Sequence, residues 1–99
     1  MEKIIPFPED KPDVREMMLS AWGVMLVHLA SWKEDGNEKA HNGLRRYCEY
    51  ITMHGYPGGA SAALAELDSM GEDQGVAWIK RTFARYVPDS FALIQYVMN

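Results

Sequence analysis

Residues 17–32, MMLSAWGVMLVHLASW, run for sixteen positions without an Asp, Glu, Lys or Arg in a chain of 99 residues. No other stretch limits the fold so strongly. A membrane span needs about 20 mostly apolar residues. This run is shorter, contains Ser20, His28 and Ser31, and is closed by Arg15 and Glu16 before it and Lys33, Glu34 and Asp35 after it. A buried helix is the better reading. At 100° per residue, Val14, Met17, Met18, Ala21, Trp22, Val24, Met25, His28, Leu29 and Trp32 form one broad stripe. Ser20, Gly23, Val27, Ala30 and Ser31 form a second face of mostly small residues. A helix apolar nearly all round is expected to be surrounded by protein. The small face Ser20, Gly23, Val27 and Ala30 would admit a close second contact, and a homodimer through it is expected.

The remaining chain supports an all-α fold: a compact bundle of four to five helices with that apolar helix at its centre. Residues 1–11 read as an extended arm, because Pro6 and Pro8 fix φ and push their predecessors out of the helical region. Ile4, Ile5 and Phe7 would let this arm cover its own core or reach a neighbouring subunit. Residues 12–99 form the bundle, within a single domain of 1–99. The first helix starts near Pro12. A charged turn follows at 33–39, with Asp35 and Asn37 as rival caps for the second helix.

The second helix runs to about His54 as an amphipathic surface helix. Ala40, Leu44, Tyr47, Cys48 and Ile51 lie on its inner face, with Asn42, Arg45, Arg46 and Glu49 outside. GYPGG at 55–59 is a turn signal. A short third helix spans about 60–70. The fourth begins near Asp73 as cap, turns Val76, Ile79, Phe83, Tyr86 and Val87 inward, and is stopped or kinked by Pro88. A last short helix, capped by Asp89, shows Phe91, Ile94, Val97 and Met98 along one side. No segment alternates with period two long enough to be a strand.

Chemistry is sparse. His41 and His54 are thirteen positions apart on one helix, roughly 20 Å at 1.5 Å per residue, which is too far to share a metal. The lone Cys48 excludes an internal disulfide and has none of the paired spacing of a zinc site. No metal site, cofactor or catalytic motif is expected, and the chain reads as a non-enzyme. A small enzyme or ligand-binding bundle would need a deep, polar-tipped pocket reaching His28. The N-terminus has no secretory pattern, and one unpaired cysteine suits a reducing compartment, so a cytoplasmic setting is expected.

Fourteen acids against ten bases leave a formal charge of −4. That balance argues against direct nucleic-acid or anionic-membrane binding, which needs clustered positive charge. A helix-turn-helix can be laid over 64–86 with Gly71 as the turn glycine. Leu67 then replaces the usual alanine, Glu72 an apolar position and Lys80 an inward one.

The strongest functional signal lies on the fourth helix. With Val76, Ile79, Phe83 and Tyr86 inward, Trp78 falls on the outer side beside Gln74, Arg81 and Arg85. Trp and Arg are enriched where interfaces concentrate their binding energy. The competing reading is that a neighbouring helix or the N-terminal arm covers Trp78, with the arginines pairing local acids. A second outward group is Arg46, Tyr50 and Met53. The expected function is a small acidic protein-interaction module: an inhibitor, adaptor or regulator docking on a larger protein. Chains of this size and style are common among phage and mobile-element accessory proteins, which is no family resemblance. The alternatives are an acidic nucleic-acid mimic binding a basic cleft, and the helix-turn-helix regulator.

Overall fold

The computed structural model describes the backbone of residues 14–98 and the side chains of residues 21–98. Every regular element among them is a helix: α1 (Val14–Asp35), α2 (Glu38–Met53), α3 (Ala60–Asp68), α4 (Glu72–Tyr86) and α5 (Ser90–Met98). The expected arm at 1–11 and the start of the first helix near Pro12 lie outside the described residues.

The all-helical bundle is as the sequence implies, with five separate helices. α1 packs against α2, α4 and α5, while α2 touches all four of the others. The centre is therefore shared. Met25 and Leu29 of α1 meet Leu44, Tyr47, Cys48 and Ile51 of α2, all without solvent exposure. Leu67, Ile79 and Leu93 close the core from α3, α4 and α5. α1 is not enclosed all round, because Val27 is 62% exposed.

The turn after α1 is shorter than the charged stretch 33–39. The helix continues to Asp35, and Gly36 alone takes the left-handed conformation, at φ 65°. Asn37 rather than Asp35 caps α2, its Oδ1 accepting from the backbone N–H of Lys39 at 2.9 Å and of Ala40 at 3.3 Å. Lys33 extends from the last turn of α1 and donates to the carbonyls of Leu67 and Asp68. Those carbonyls end α3, and that of Leu67 also accepts the Met70 N–H at 3.2 Å. Trp32 stacks on His41 at 4.0 Å, and both donate to the Asp68 carboxylate. Three helices are thus joined at one corner.

α2 buries more than an outer surface helix would. Its far side stays exposed at Asn42 and Arg45, the latter pairing with Glu49 at 2.9 Å. α5, however, covers a second flank, so Tyr50 is buried and Arg46 lies over the Tyr96 ring at 4.8 Å.

α4 differs most from expectation. It starts at Glu72 rather than after Asp73, with Gly71 as its cap residue and the Gln74 side chain accepting the Gly71 N–H. Its buried residues are Gly75, Trp78, Ile79 and Thr82. The inward face is therefore rotated from Val76, Ile79 and Phe83 towards Trp78. The reason is packing. At Gly75 the helix approaches α1 so closely that an added Cβ would lie 3.0 Å from a Leu29 methyl. Thr82 satisfies its hydroxyl by donating to the carbonyl of Trp78 at 3.0 Å. A glycine and a threonine can therefore occupy core positions, and Phe83 moves aside to meet Trp22 edge-on.

Val87, Pro88 and Asp89 separate α4 from α5. Asp89 caps α5 as expected, accepting from Phe91 N–H at 3.0 Å. The buried side of α5 is Ser90, Leu93 and Val97. Of the side formed by Phe91, Ile94, Val97 and Met98, only Val97 is buried, while Phe91 and Met98 are 46% and 66% exposed.

Candidate functional site

Trp78 does not project from α4. It is 2% exposed, covered by Tyr47 of α2 and by Tyr56 from the turn between α2 and α3. The reading in which another part of the chain covers it therefore applies. GYPGG does more than reverse the chain. Gly55, Gly58 and Gly59 all have positive φ, and the resulting bend carries the Tyr56 ring onto the α4 surface. Tyr56 meets Trp78 at 5.6 Å and Tyr86 at 5.4 Å, both edge-to-face. Such geometry is favoured by the ring quadrupoles.

The polar ends of these rings are joined. Trp78 Nε1 donates to the Tyr56 hydroxyl, which donates to Glu66 Oε1 at 2.7 Å. Beneath them the Tyr47 hydroxyl and Thr82 Oγ1 are 2.7 Å apart. Burial, with the Glu66 hydrogen bond second, pushes the Tyr56 phenol above its ordinary range. Burial does the same more strongly to Tyr47. Neither phenol ionises near neutral pH, so both act as hydrogen-bond donors.

The result is an open recess of about 580 Å³, floored by Trp78 and Thr82 and walled by Tyr56, Tyr86 and Glu66. Arg81, Ala84 and Arg85 of α4 form its rim. Of the four residues Gln74, Trp78, Arg81 and Arg85, three line this one recess, with the arginines exposed at its rim and the indole buried beneath them. Gln74 is exposed near the start of α4 and does not line the recess.

Charge is distributed unevenly along α4. From Gln74 to Pro88 there are three bases, Lys80, Arg81 and Arg85, and no acid, in a chain of net charge −4. All three bases are exposed. The ion pairs among the described residues are His41–Asp68 and Arg45–Glu49, and neither uses Arg81 or Arg85. Acids gather elsewhere. Glu34 in the last turn of α1 lies near Glu72 at the start of α4, next to Asp73, and together they raise the Glu72 carboxyl.

The other expected groups are dispersed. Of Arg46, Tyr50 and Met53, only Met53 is an open surface residue, at 65% exposure. Tyr50 is buried with its hydroxyl on the Asp89 carbonyl, and Arg46 donates to the Tyr96 carbonyl. α5 covers both. Of the expected dimer face, Ser20 lies outside the described side chains and Ala30 is half-buried. Val27 is open and Gly23 half-buried, and both border an apolar groove with Val24, His28 and Met98.

His28 is half-buried, its ring resting where a Cβ on Gly43 would stand, and burial lowers its pKa. It reaches an open groove beside Lys39, Asn42 and Arg46 rather than a deep pocket. No cluster of three or more His, Cys, Asp or Glu suited to a metal occurs among the described residues. No helix among them is long and apolar enough to cross a membrane.

Tyr56, Glu66, Thr82, Ala84 and Tyr86 join this site only in the folded chain. Only Tyr86 had a signal, its spacing of four from Thr82 and eight from Trp78, and that becomes visible once Thr82 is allowed inside. No family model matches this chain, and no curated protein or solved structure matches it either.

Proposed function

We propose that this chain is a small protein-interaction module that docks on a larger protein through the outer face of α4, as an inhibitor, adaptor or regulator. The observation that carries the reading is the exposed pair Arg81 and Arg85 at the rim of an aromatic recess, with no carboxylate partner among the described residues. Concave, mostly aromatic sites with a few charged groups at the edge are what side chains of a partner fill. A cytoplasmic setting accords with the free, buried Cys48. A homodimer through Gly23 and Val27 remains a separate proposal, supported by the exposure of Val27 and Met98 along one groove.

The mimic reading draws support only from the acidic end at Glu34, Glu72 and Asp73, since α4 is basic and the outer face of α2 mixes Arg45 with Glu49. The helix-turn-helix reading needs α3 packed on α4. Here α3 packs on α2, and α4 on α1 and α2.

Affinity capture from the source cytoplasm tests the proposal, with wild type beside the Arg81→Glu/Arg85→Glu variant. Both residues are exposed, so the variant should keep its helical spectrum and melting temperature. A partner held by the wild type and lost by the variant is expected. Equal recovery by both would remove this face from the account.

A further inference from the structure

We infer that the α4 face takes an acidic polypeptide segment that inserts one Tyr or Trp side chain into the recess and pairs flanking carboxylates with Arg81 and Arg85. This rests on the proposed docking function and names the chemistry of its partner.

Three observations fix that chemistry. The first is charge. Lys80, Arg81 and Arg85 stand on the exposed side of a fifteen-residue stretch without an acid, in a chain that is acidic elsewhere. A segment of opposite sign is steered to such a patch and away from the acidic end at Glu34, Glu72 and Asp73. Guanidinium groups one helical turn apart suit carboxylates at a similar spacing, each able to take a forked pair of hydrogen bonds.

The second is the recess itself. Three of its lining residues, Tyr56, Trp78 and Tyr86, are aromatic, so an aromatic side chain is the apolar body that fits. Its polar wall is a carboxylate. Glu66 uses Oε1 for the Tyr56 hydroxyl, so its other oxygen can accept a further hydrogen bond. An inserted carboxylate would be repelled there, and a phenylalanine would leave the acceptor unmatched. A phenol O–H or an indole N–H satisfies it. Acids belong on the rim and a donor-bearing ring inside.

The third is access. Ala84 lines the recess and adds little bulk to its rim. Ala77, also exposed, lies one heptad earlier on the same side of α4. Two alanines with bases beside them allow a partner backbone to come close while the arginines reach around it.

The test selects binders from a random peptide display library on wild-type protein, with depletion on Arg81→Glu/Arg85→Glu. Synthetic copies are then measured against wild type, that double variant and Ala84→Phe, each first shown by circular dichroism to be folded. The enriched peptides should be acidic and carry a Tyr or Trp. Affinity should fall at least about tenfold in both variants, the scale for losing close charge pairs or a buried anchor. It should also weaken as salt rises. Failure to enrich any peptide over the double variant overturns the inference, as does enrichment of neutral or basic peptides. A short DNA duplex bound by wild type and lost in the variant would overturn it in favour of nucleic acid. Salt-sensitive self-association lost in the same variant would replace the segment with a second copy. If lysate capture still depends on Arg81 and Arg85 while the selected peptides are not acidic, the docking function stands and this inference falls.

Discussion

The indole N–H of Trp78 points at the hydroxyl of Tyr56, 3.3 Å away, across twenty-two residues of chain. That bond makes Trp78 the floor of a recess instead of a knob on a helix. Substitution of the tryptophan therefore reports on folding. Trp78→Ala should destabilise by about 3–5 kcal/mol, the usual cost of deleting a buried large aromatic. Trp78→Phe keeps most of the buried ring and should lose clearly less. Urea denaturation of both variants checks the order. Equal, small losses would mean that the indole is not packed as described.

Gly75 sets how closely α4 lies on α1. A Cβ there would stand 3.0 and 3.2 Å from the Leu29 methyls and 3.4 Å from Leu67, both leucines being fully buried. Gly75→Ala should be nearly neutral, because a gain of about 1 kcal/mol in helix propensity offsets the crowding. Gly75→Val adds two more carbons and should cost about 1–3 kcal/mol. Thermal melts of the pair test this, and a stabilised valine variant would contradict the close approach.

The acidic end predicts a pH effect. Desolvation, with the neighbouring Glu34 carboxyl and the charge of Asp73 next, raises the Glu72 carboxyl above its ordinary value of 4.5. A carboxyl raised in the folded state contributes stability fully below its unfolded value and loses it as pH rises through the folded one. At neutral pH the Glu34–Glu72 contact is therefore a cost. Glu34 also places a negative charge near the C-terminal, electronegative end of α1. Glu34→Gln should raise the melting temperature at neutral pH, with the gain vanishing as pH falls below 4.5. Melting temperatures of both proteins across that range decide it. A gain that persists in acid would point to a cause other than charge.

Cys48 is fully buried, and that burial, with the charges of Asp68, Glu49 and Glu66 next, pushes its thiol up to about 12. Thiol reagents attack the thiolate. In native conditions Cys48 should label only through unfolding, at a rate that climbs with urea in step with the unfolded population. Rapid labelling of the folded protein would show that the core opens locally around α2.

Much of the fold was legible because it rests on patterns with wide margins. The uncharged run in α1, the glycines after α2 and the Asp89 cap each have one good structural reading. The inward face of α4 was not, because Ile79 fits either neighbour set. Choosing Val76 and Phe83 over Gly75 and Thr82 follows hydrophobicity. The fold instead follows close approach at Gly75 and a threonine whose hydroxyl bonds back to its own helix. Arg81 and Arg85 were legible as an outward pair because charge is almost never buried unpaired. Tyr56 was not, since its place above α4 depends on three positive-φ glycines in one turn. Met53 was placed outside correctly, while Arg46 and Tyr50 were not, because only the folded chain shows α5 lying over α2.

The claim that a partner sits on the outer face of α4 is tested most directly by photocrosslinking. A photoreactive side chain is placed at exposed Ala77 in one protein and at exposed Asn42, on α2, in another. A crosslinked partner is expected from position 77, suppressed by Arg81→Glu/Arg85→Glu, with little from position 42. A partner trapped from position 42 and not from 77 would contradict it.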